Sequence, residues 1–276
     1  MTIDAHQHFW QYNPQKHAWI DDEMAVIRKD FLPADLEPVL TSNDIDSCVA
    51  VQADETENET DFLIGLSQQN PFIKAVVGWV DLRAENITER LTHYKQYDIV
   101  KGFRHVLQGR EPAFMLQPSF LNGIAALQPF NFTYDILVFP KHLAAAIELV
   151  KQFPNQLFVV DHIAKPYIKA GFIDEWKKEL QLLAQFENVY CKISGMVTET
   201  DYNKWQPGDF KPYLDVVVDS FGTKRIMFGS DWPVCLVAAT YSDMLAIVQD
   251  YFAAFSLTEK QDFFGGNAAR FYNIEM

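Results

Sequence analysis

Cysteine is scarce in this chain. Three occur in 276 residues, Cys48, Cys191 and Cys235, with no C-x-x-C pair among them. That excludes a disulfide framework and a cysteine-built zinc ribbon, and it fits a reducing compartment. Long apolar runs are missing too. No stretch approaches the ~18 residues needed to cross a bilayer, so no membrane span is expected. The first residues, Met1 to His6, carry neither the basic region nor the apolar stretch of a secretory signal, and the expected location is cytoplasmic. Positive charge is in deficit, with 23 Lys and Arg against 37 Asp and Glu, a net −14. Nucleic acid is therefore not an expected partner, because phosphate binding calls for a basic stripe. A small ligand held by a few local cations remains compatible with that balance. There is no low-complexity tract, tandem repeat or Pro/Gly/Ser linker, so one domain spanning 1–276 is expected. Oligomeric state is left open, with a homo-oligomer among the alternatives.

What recurs is a short apolar run, a turn and an amphipathic stretch. The runs at 2–8, 47–53, 74–80, 99–105, 132–138, 156–162, 188–194 and 225–230 are Val-, Ile- and Phe-rich, as strands buried on both faces are. Between them, 141–153 places Leu143, Ile147 and Val150 on one helical face, and 173–187 does the same with Trp176, Leu180, Leu183 and Phe186. Segments 208–221 and 240–255 repeat the pattern. Eight strands alternating with helices predict an α/β fold, a single (β/α)8 TIM barrel. The rival is an open doubly wound sheet, which usually has a glycine-rich turn after its first strand. Here that strand is followed by Phe9-Trp10-Gln11-Tyr12, which favours the barrel. Active sites of barrels lie at the C-terminal strand ends.

The first strand ends Asp4-Ala5-His6-Gln7-His8. Strand alternation predicts Asp4, His6 and His8 on one face. The sixth run turns polar at Asp161-His162 and the eighth at Ser230-Asp231. Each signal alone has a plain structural reading: two unrelated histidines near a terminus, a strand cap, a turn aspartate. Together they place three imidazoles and a carboxylate at the mouth of one barrel. His6, His8, His162 and Asp231 are a suitable ligand set for one divalent metal such as zinc, and Asp231 could also take a proton from water.

The stretches 3–10 (IDAHQHFW), 101–109 (KGFRHVLQG), 161–166 (DHIAKP), 188–199 (NVYCKISGMVTE) and 228–235 (FGSDWPVC) resemble the amidohydrolase superfamily of barrel hydrolases, and within it the sugar lactonase branch. The resemblance implies opening of an L-fucono- or L-rhamnono-lactone, with dicarboxylate lactones as a related option. One departure stands out. Many members of that superfamily carry histidines on strands five and six, whereas strand five here, 131–137, has none. That argues against a two-metal centre. It leaves either a single metal on His6, His8, His162 and Asp231 or a metal-independent site.

Supporting residues follow from the same strand ends. Arg104 would be costly facing a barrel mouth without a partner, so it is expected to hold substrate or to pair with Asp135. His105, beside it, is a substrate-binding candidate. Lys192 needs a carboxylate such as Asp231, or a ligand oxygen, and Lys165 reads as either a ligand-binding or a loop charge. Trp10 and Trp232 are the expected stacking partners for a sugar face, among loop aromatics that also include Tyr12, Trp19 and Trp205. His17, His93 and His142 look unrelated to the site. The segment from Asn13 to Pro33 is long enough to form a lid. The leading expectation is lactone hydrolysis with Asp231 as general base. Decarboxylation of an unsaturated or aromatic acid on the same barrel, and a non-catalytic sugar-acid binder, are the alternatives.

Overall fold

Valine and isoleucine dominate the short strands, and their side chains are buried on both faces of the sheet. Residues 1–202 and 204–275 are described by a computed structural model. The strands are β1 (Ile3–Gln7), β2 (Ser47–Val51), β3 (Ile73–Gly78), β4 (Val100–Val106), β5 (Thr133–Leu137), β6 (Phe158–Val160), β7 (Val189–Ile193) and β8 (Ile226–Phe228). They form one parallel sheet in the order β1 to β8. The sheet curls until its edges nearly meet. The seam is closed beyond β8, where His8 N–H donates to Trp232 O at 2.7 Å and Asp231 N–H to His6 O at 2.8 Å.

Around this sheet lie α1 (Pro33–Ser42), α2 (Glu57–Gln69), α3 (Ile87–Tyr94), α4 (Pro118–Leu127), α5 (Leu143–Gln152), α6 (Asp174–Leu183), α7 (Lys211–Phe221) and α8 (Tyr241–Tyr251). Two short helices follow, α9 (Leu257–Gln261) and α10 (Asn267–Tyr272). Local chemistry fixes several starts. Thr56 caps α2 by accepting from Glu59 N–H. Thr240 and Asp243 form a reciprocal capping box on α8. No helix among the described residues is long and apolar enough to cross a membrane.

Two packing zones result. The larger lies between strands and helices and includes Phe9, Cys48, Phe103, Ile136 and Phe228. The smaller fills the barrel interior with Ile3, Ala5, Val49, Val51, Ala75, Val77, Val159 and Met227. It is continued by Ala268, Phe271, Tyr272 and Ile274 from α10 and the residues after it. Above this apolar floor the interior becomes charged and then histidine-rich.

Candidate active site

β1 does not keep the alternation expected of it. Its pairing with β2 runs Asp4 to Cys48 but Gln7 to Ala50, so one extra residue is accommodated in β1. Such a bulge re-aims side chains. Asp4 consequently faces outward, where its carboxylate accepts from Ser230 N–H (2.9 Å), Ser230 Oγ (2.5 Å) and Tyr241 Oη of α8 (3.1 Å). The expectation that Asp4 shares a face with the histidines is thus corrected. His6 and His8 turn to the barrel axis, with their Nε2 atoms 3.3 Å apart. Burial lifts the Asp4 carboxyl to about 6, against those hydrogen bonds.

The other two elements reach the axis through left-handed backbone. His162, Ile163, Ala164 and Lys165 all have φ between 48° and 59°, and Asp231 has φ 57°. Non-glycine residues seldom adopt this region, and runs of it concentrate at functional sites. Gly195, just past β7, also has positive φ. A Cβ there would lie 2.6 Å from His162 Nδ1 and 3.0 Å from Asp231 Oδ2, so only glycine lets these two side chains approach.

The four side chains converge. Asp231 Oδ1 lies 3.3 Å from His8 Nε2, 3.9 Å from His162 Nε2 and 4.0 Å from His6 Nε2. His8 Nδ1 donates to Val51 O at 2.8 Å, which leaves its Nε2 lone pair aimed at the centre. His162 Nδ1 is held by Ser194 Oγ at 2.9 Å. Burial drives His6 well below the ordinary imidazole range despite Asp161, and brings His162 to about 3 despite Asp231. Burial works the other way on Asp231, yet His162, His8 and His6 outweigh it and hold the carboxyl below its usual range. The centre is therefore an ionised carboxylate among three imidazoles, of which His6 and His162 are kept neutral by burial.

Beneath it lies a buried charge network that differs from the expected pairings. Arg104 pairs with Asp161 (Nη1 to Oδ2, 3.0 Å), not with Asp135. It also donates to the Gln52 backbone oxygen. Lys192 pairs with Asp135 at 2.5 Å and Asp161 at 3.1 Å rather than with Asp231. Tyr272 Oη of α10 donates to Asp135 at 2.9 Å from below. Burial lifts Asp135 to about 6 against the pull of Lys192. Asp161 stays well below the usual carboxylate range, because Lys192, His6 and Arg104 overcome its burial. Asp161 Oδ1 and Lys192 Nζ both face His6 Nδ1, at 3.3 Å and 3.1 Å. The neighbour of Asp161, His162, drew the eye in sequence. Asp161 itself carried no signal beyond its place at a strand end.

The histidine centre opens into a cavity of about 310 Å³, whose wall includes Trp19, Met24, Arg104, Val106, Leu137, Lys165, Thr198 and Glu199. The segment between β1 and α1 thus contributes to the mouth through Trp19 and Met24. The two tryptophans expected to stack on a sugar do not line this cavity. Trp10 is buried against His17, Trp19 and Phe31 and donates to Lys29 O at 2.8 Å. Trp232 packs on Phe9 and Phe31. His105 is also displaced from the site. It lies between Trp79 and Phe120 on the outer side of β4, where burial brings it to about 3. Alternation explains the split, since Arg104 points inward and His105 must then point out. Of the remaining histidines, His17 packs on Trp10 and Tyr12 and His142 bonds Arg110 O at 3.0 Å.

A family model described as amidohydrolase matches residues 3–274. The chain belongs to the amidohydrolase family. Among its relatives, an L-fucono-1,5-lactonase of Burkholderia multivorans is 37% identical, covering 99% of this chain and 96% of that protein. An L-rhamnono-gamma-lactonase of Scheffersomyces stipitis is 22% identical over 65% of this chain and 60% of its own length. Among solved structures, a Burkholderia multivorans amidohydrolase with bound zinc superposes at TM-score 0.96, with 36% identity and full coverage of both chains.

For an amidohydrolase, whose family usually binds a divalent metal, the donor set can be tested directly. Zinc ligands at ~2.0–2.1 Å in a tetrahedron stand roughly 3.3 Å from one another. The ligand atoms of His6, His8 and Asp231 lie within 4.8 Å of one another, as do those of His6, Asp161 and His162. The 3.3 Å contacts of His8 already match a tetrahedral edge. The burial that keeps His6 and His162 neutral, and the ionised Asp231, give protonation states that a metal requires. His6, His8 and Asp231 are placed to share one divalent ion, while His162 groups with His6 and Asp161.

Proposed function

We propose that this amidohydrolase opens a sugar-acid lactone of the L-fucono-1,5-lactone kind, with Asp231 as general base. The observation that carries the reading is an ionised carboxylate ringed by three imidazoles at the head of a cavity large enough for one sugar ring. The lactonase relatives, at 37% and 34% identity over 99% of this chain, support it. So does the lack of a competing thiol, since all three cysteines are buried.

His6, His8 and Asp231 would hold the metal, which when bound supplies Lewis-acid polarisation of the lactone carbonyl. Asp231 accepts a proton from water as the water oxygen adds to that carbonyl. The tetrahedral intermediate then collapses, the ring C–O bond breaks, and Asp231 returns the proton to the departing ring oxygen. The product is an open hydroxy acid. Trp19 offers an exposed aromatic face at the mouth, and Arg104 reaches the cavity wall from the charged layer. A metal-independent form of the same reaction is favoured by one contact: Arg104 Nη1 lies 3.2 Å from His6 Nε2 and so already places positive charge at that lone pair. The enzyme is proposed to act in the cytoplasm on this small-molecule substrate.

The test is acid release from a panel of sugar lactones by wild type and Asp231→Asn, each with and without chelator and metal add-back. The expected result is turnover of at least one lactone, lowered about 10²–10⁴-fold in the variant. Asp231→Asn at wild-type rate refutes the base assignment. Chelator sensitivity separates the metal-dependent from the metal-independent form. Carbon dioxide release would point to the decarboxylase alternative.

A further inference from the structure

The two loops that complete the centre also carry an ion pair that the hydrolytic step does not use. Lys165 ends the left-handed turn that begins with His162, and its N–H returns to His162 O at 2.8 Å. Glu199 ends the short helical turn Val197–Glu199 that follows Gly195. Their side chains meet at 2.7 Å, Nζ to Oε1, and are 13% and 16% exposed, both on the cavity wall. Glu199 also lines a second, wider groove of about 950 Å³, together with Tyr167, Lys169 and Tyr202. The pair therefore stands where the inner cavity passes into the outer one.

The hydrogen-bonding capacity of this pair is only partly used. An ammonium has three donors and a carboxylate two acceptor oxygens. Lys165 spends one donor on Glu199. Among the described residues, Glu199 Oε1 receives Lys165 and Thr198 Oγ1, while Oε2 accepts from none. A donor and an acceptor are thus left side by side, with their charges already cancelled. Neighbouring hydroxyls match that arrangement, one donating to Oε2 and the other accepting from Nζ. A carboxylate does not match it, because it brings charge to a cation that Glu199 has neutralised and it repels Oε2.

We propose that Lys165 and Glu199 form a hydroxyl-reading clamp that selects neutral polyhydroxy lactones and disfavours lactones bearing a carboxylate at that end. This rests on the lactonase reading above and adds the class of substrate within it. Such contacts hold substrate and transition state alike, so their loss raises KM more than it lowers kcat.

The experiment compares kcat and KM for a sugar lactone, its single-deoxy analogues, unsubstituted δ-valerolactone and a ring-carboxylated lactone. Wild type, Glu199→Gln and Lys165→Met are tested side by side, with melting temperature as the folding control. In wild type, removal of the hydroxyl that is read should lower kcat/KM about 10- to 100-fold, the value of a charge-assisted hydrogen bond, chiefly through KM. Each variant should lose a similar factor on the full sugar lactone and little on that deoxy analogue or on δ-valerolactone. Glu199→Gln should also shift preference toward the carboxylated lactone. Equal losses on δ-valerolactone and the sugar lactone would overturn the clamp, and so would wild type that treats every deoxy analogue like the parent. The wild-type series decides even if neither variant folds. Lactone turnover without hydroxyl discrimination overturns the clamp alone, whereas no turnover of any lactone overturns the lactonase reading on which it rests.

Discussion

Gly195→Ala should damage catalysis and stability together. The added Cβ would stand 2.6 Å from His162 Nδ1, 2.9 Å from its Cγ and 3.0 Å from Asp231 Oδ2. A relaxed contact needs roughly 3.5 Å, so the imidazole must retreat by roughly 0.6–0.9 Å. It cannot do so freely, because Ser194 Oγ holds Nδ1 at 2.9 Å, and Asp231 is held between His8 and its own backbone bond to His6. Alanine at φ 58° adds about 1–2 kcal/mol of left-handed strain, and overpacking adds about 1–3 kcal/mol. A loss of about 2–5 kcal/mol lowers the melting temperature of a chain this size by about 4–9 °C. Misplacing catalytic groups by about 1 Å costs about 100-fold in rate. Lactone hydrolysis and calorimetry on the same preparation read both effects. Gly109→Ala is the control, since a Cβ there meets nothing within 4 Å, and both quantities should stay at wild-type values. A Gly195→Ala enzyme that is folded and fully active would show that His162 and Asp231 tolerate displacement, and the geometric argument for the site would fail.

Two further predictions concern the rest of the fold. Burial lifts Glu59 to about 7, from an ordinary 4.5, so the folded chain binds more protons at this group than the unfolded chain does. Stability is thus lost as pH rises through about 4.5–7, by up to about 3 kcal/mol. Glu59→Gln keeps an acceptor for Ala53 N–H and should be the more stable protein at pH 8 but not at pH 4, as read by urea unfolding. A stability difference independent of pH contradicts this. Trp19, 43% exposed on the cavity wall, should on truncation to Ala raise KM about tenfold with little change in melting temperature. Trp10→Ala should instead cost about 3–5 kcal/mol of stability. The reverse pattern would mean that the buried tryptophan touches substrate.

The strands were legible because a parallel barrel buries both faces, which leaves uninterrupted Val and Ile runs with polar residues at one end. That same transition pointed to His6, His8, His162 and Asp231, and these four are brought together at the mouth. What alternation could not reveal is where it breaks. The extra residue in β1 sends Asp4 outward to Ser230 and Tyr241, and nothing in Asp4-Ala5-His6 announces it. Pairing partners were equally hidden. Arg104 had Asp135 opposite it in register on β5, but its long side chain reaches across the interior to Asp161 instead. Trp10 and Trp232 misled for a simpler reason: a large aromatic beside a site satisfies its packing as readily behind the site as in it. Glu199 went unnoticed as a Glu in a polar loop, and its role rests on meeting Lys165, which sits 34 residues away in sequence.

The seam of the barrel has a consequence for how this protein comes into being. The backbone bonds that close it join His6 and His8 to Asp231 and Trp232, so the first and last strands complete each other. The four side chains of the centre span the same interval. During synthesis, the segment bearing His6 and His8 must wait, unpaired on one edge, until residues beyond β8 emerge. Assembly of the histidine centre and ring closure would then become a single late event. Premature chains would accumulate neither a partial centre nor partial activity, so loss of the final strand leaves an incomplete fold and not a weaker enzyme.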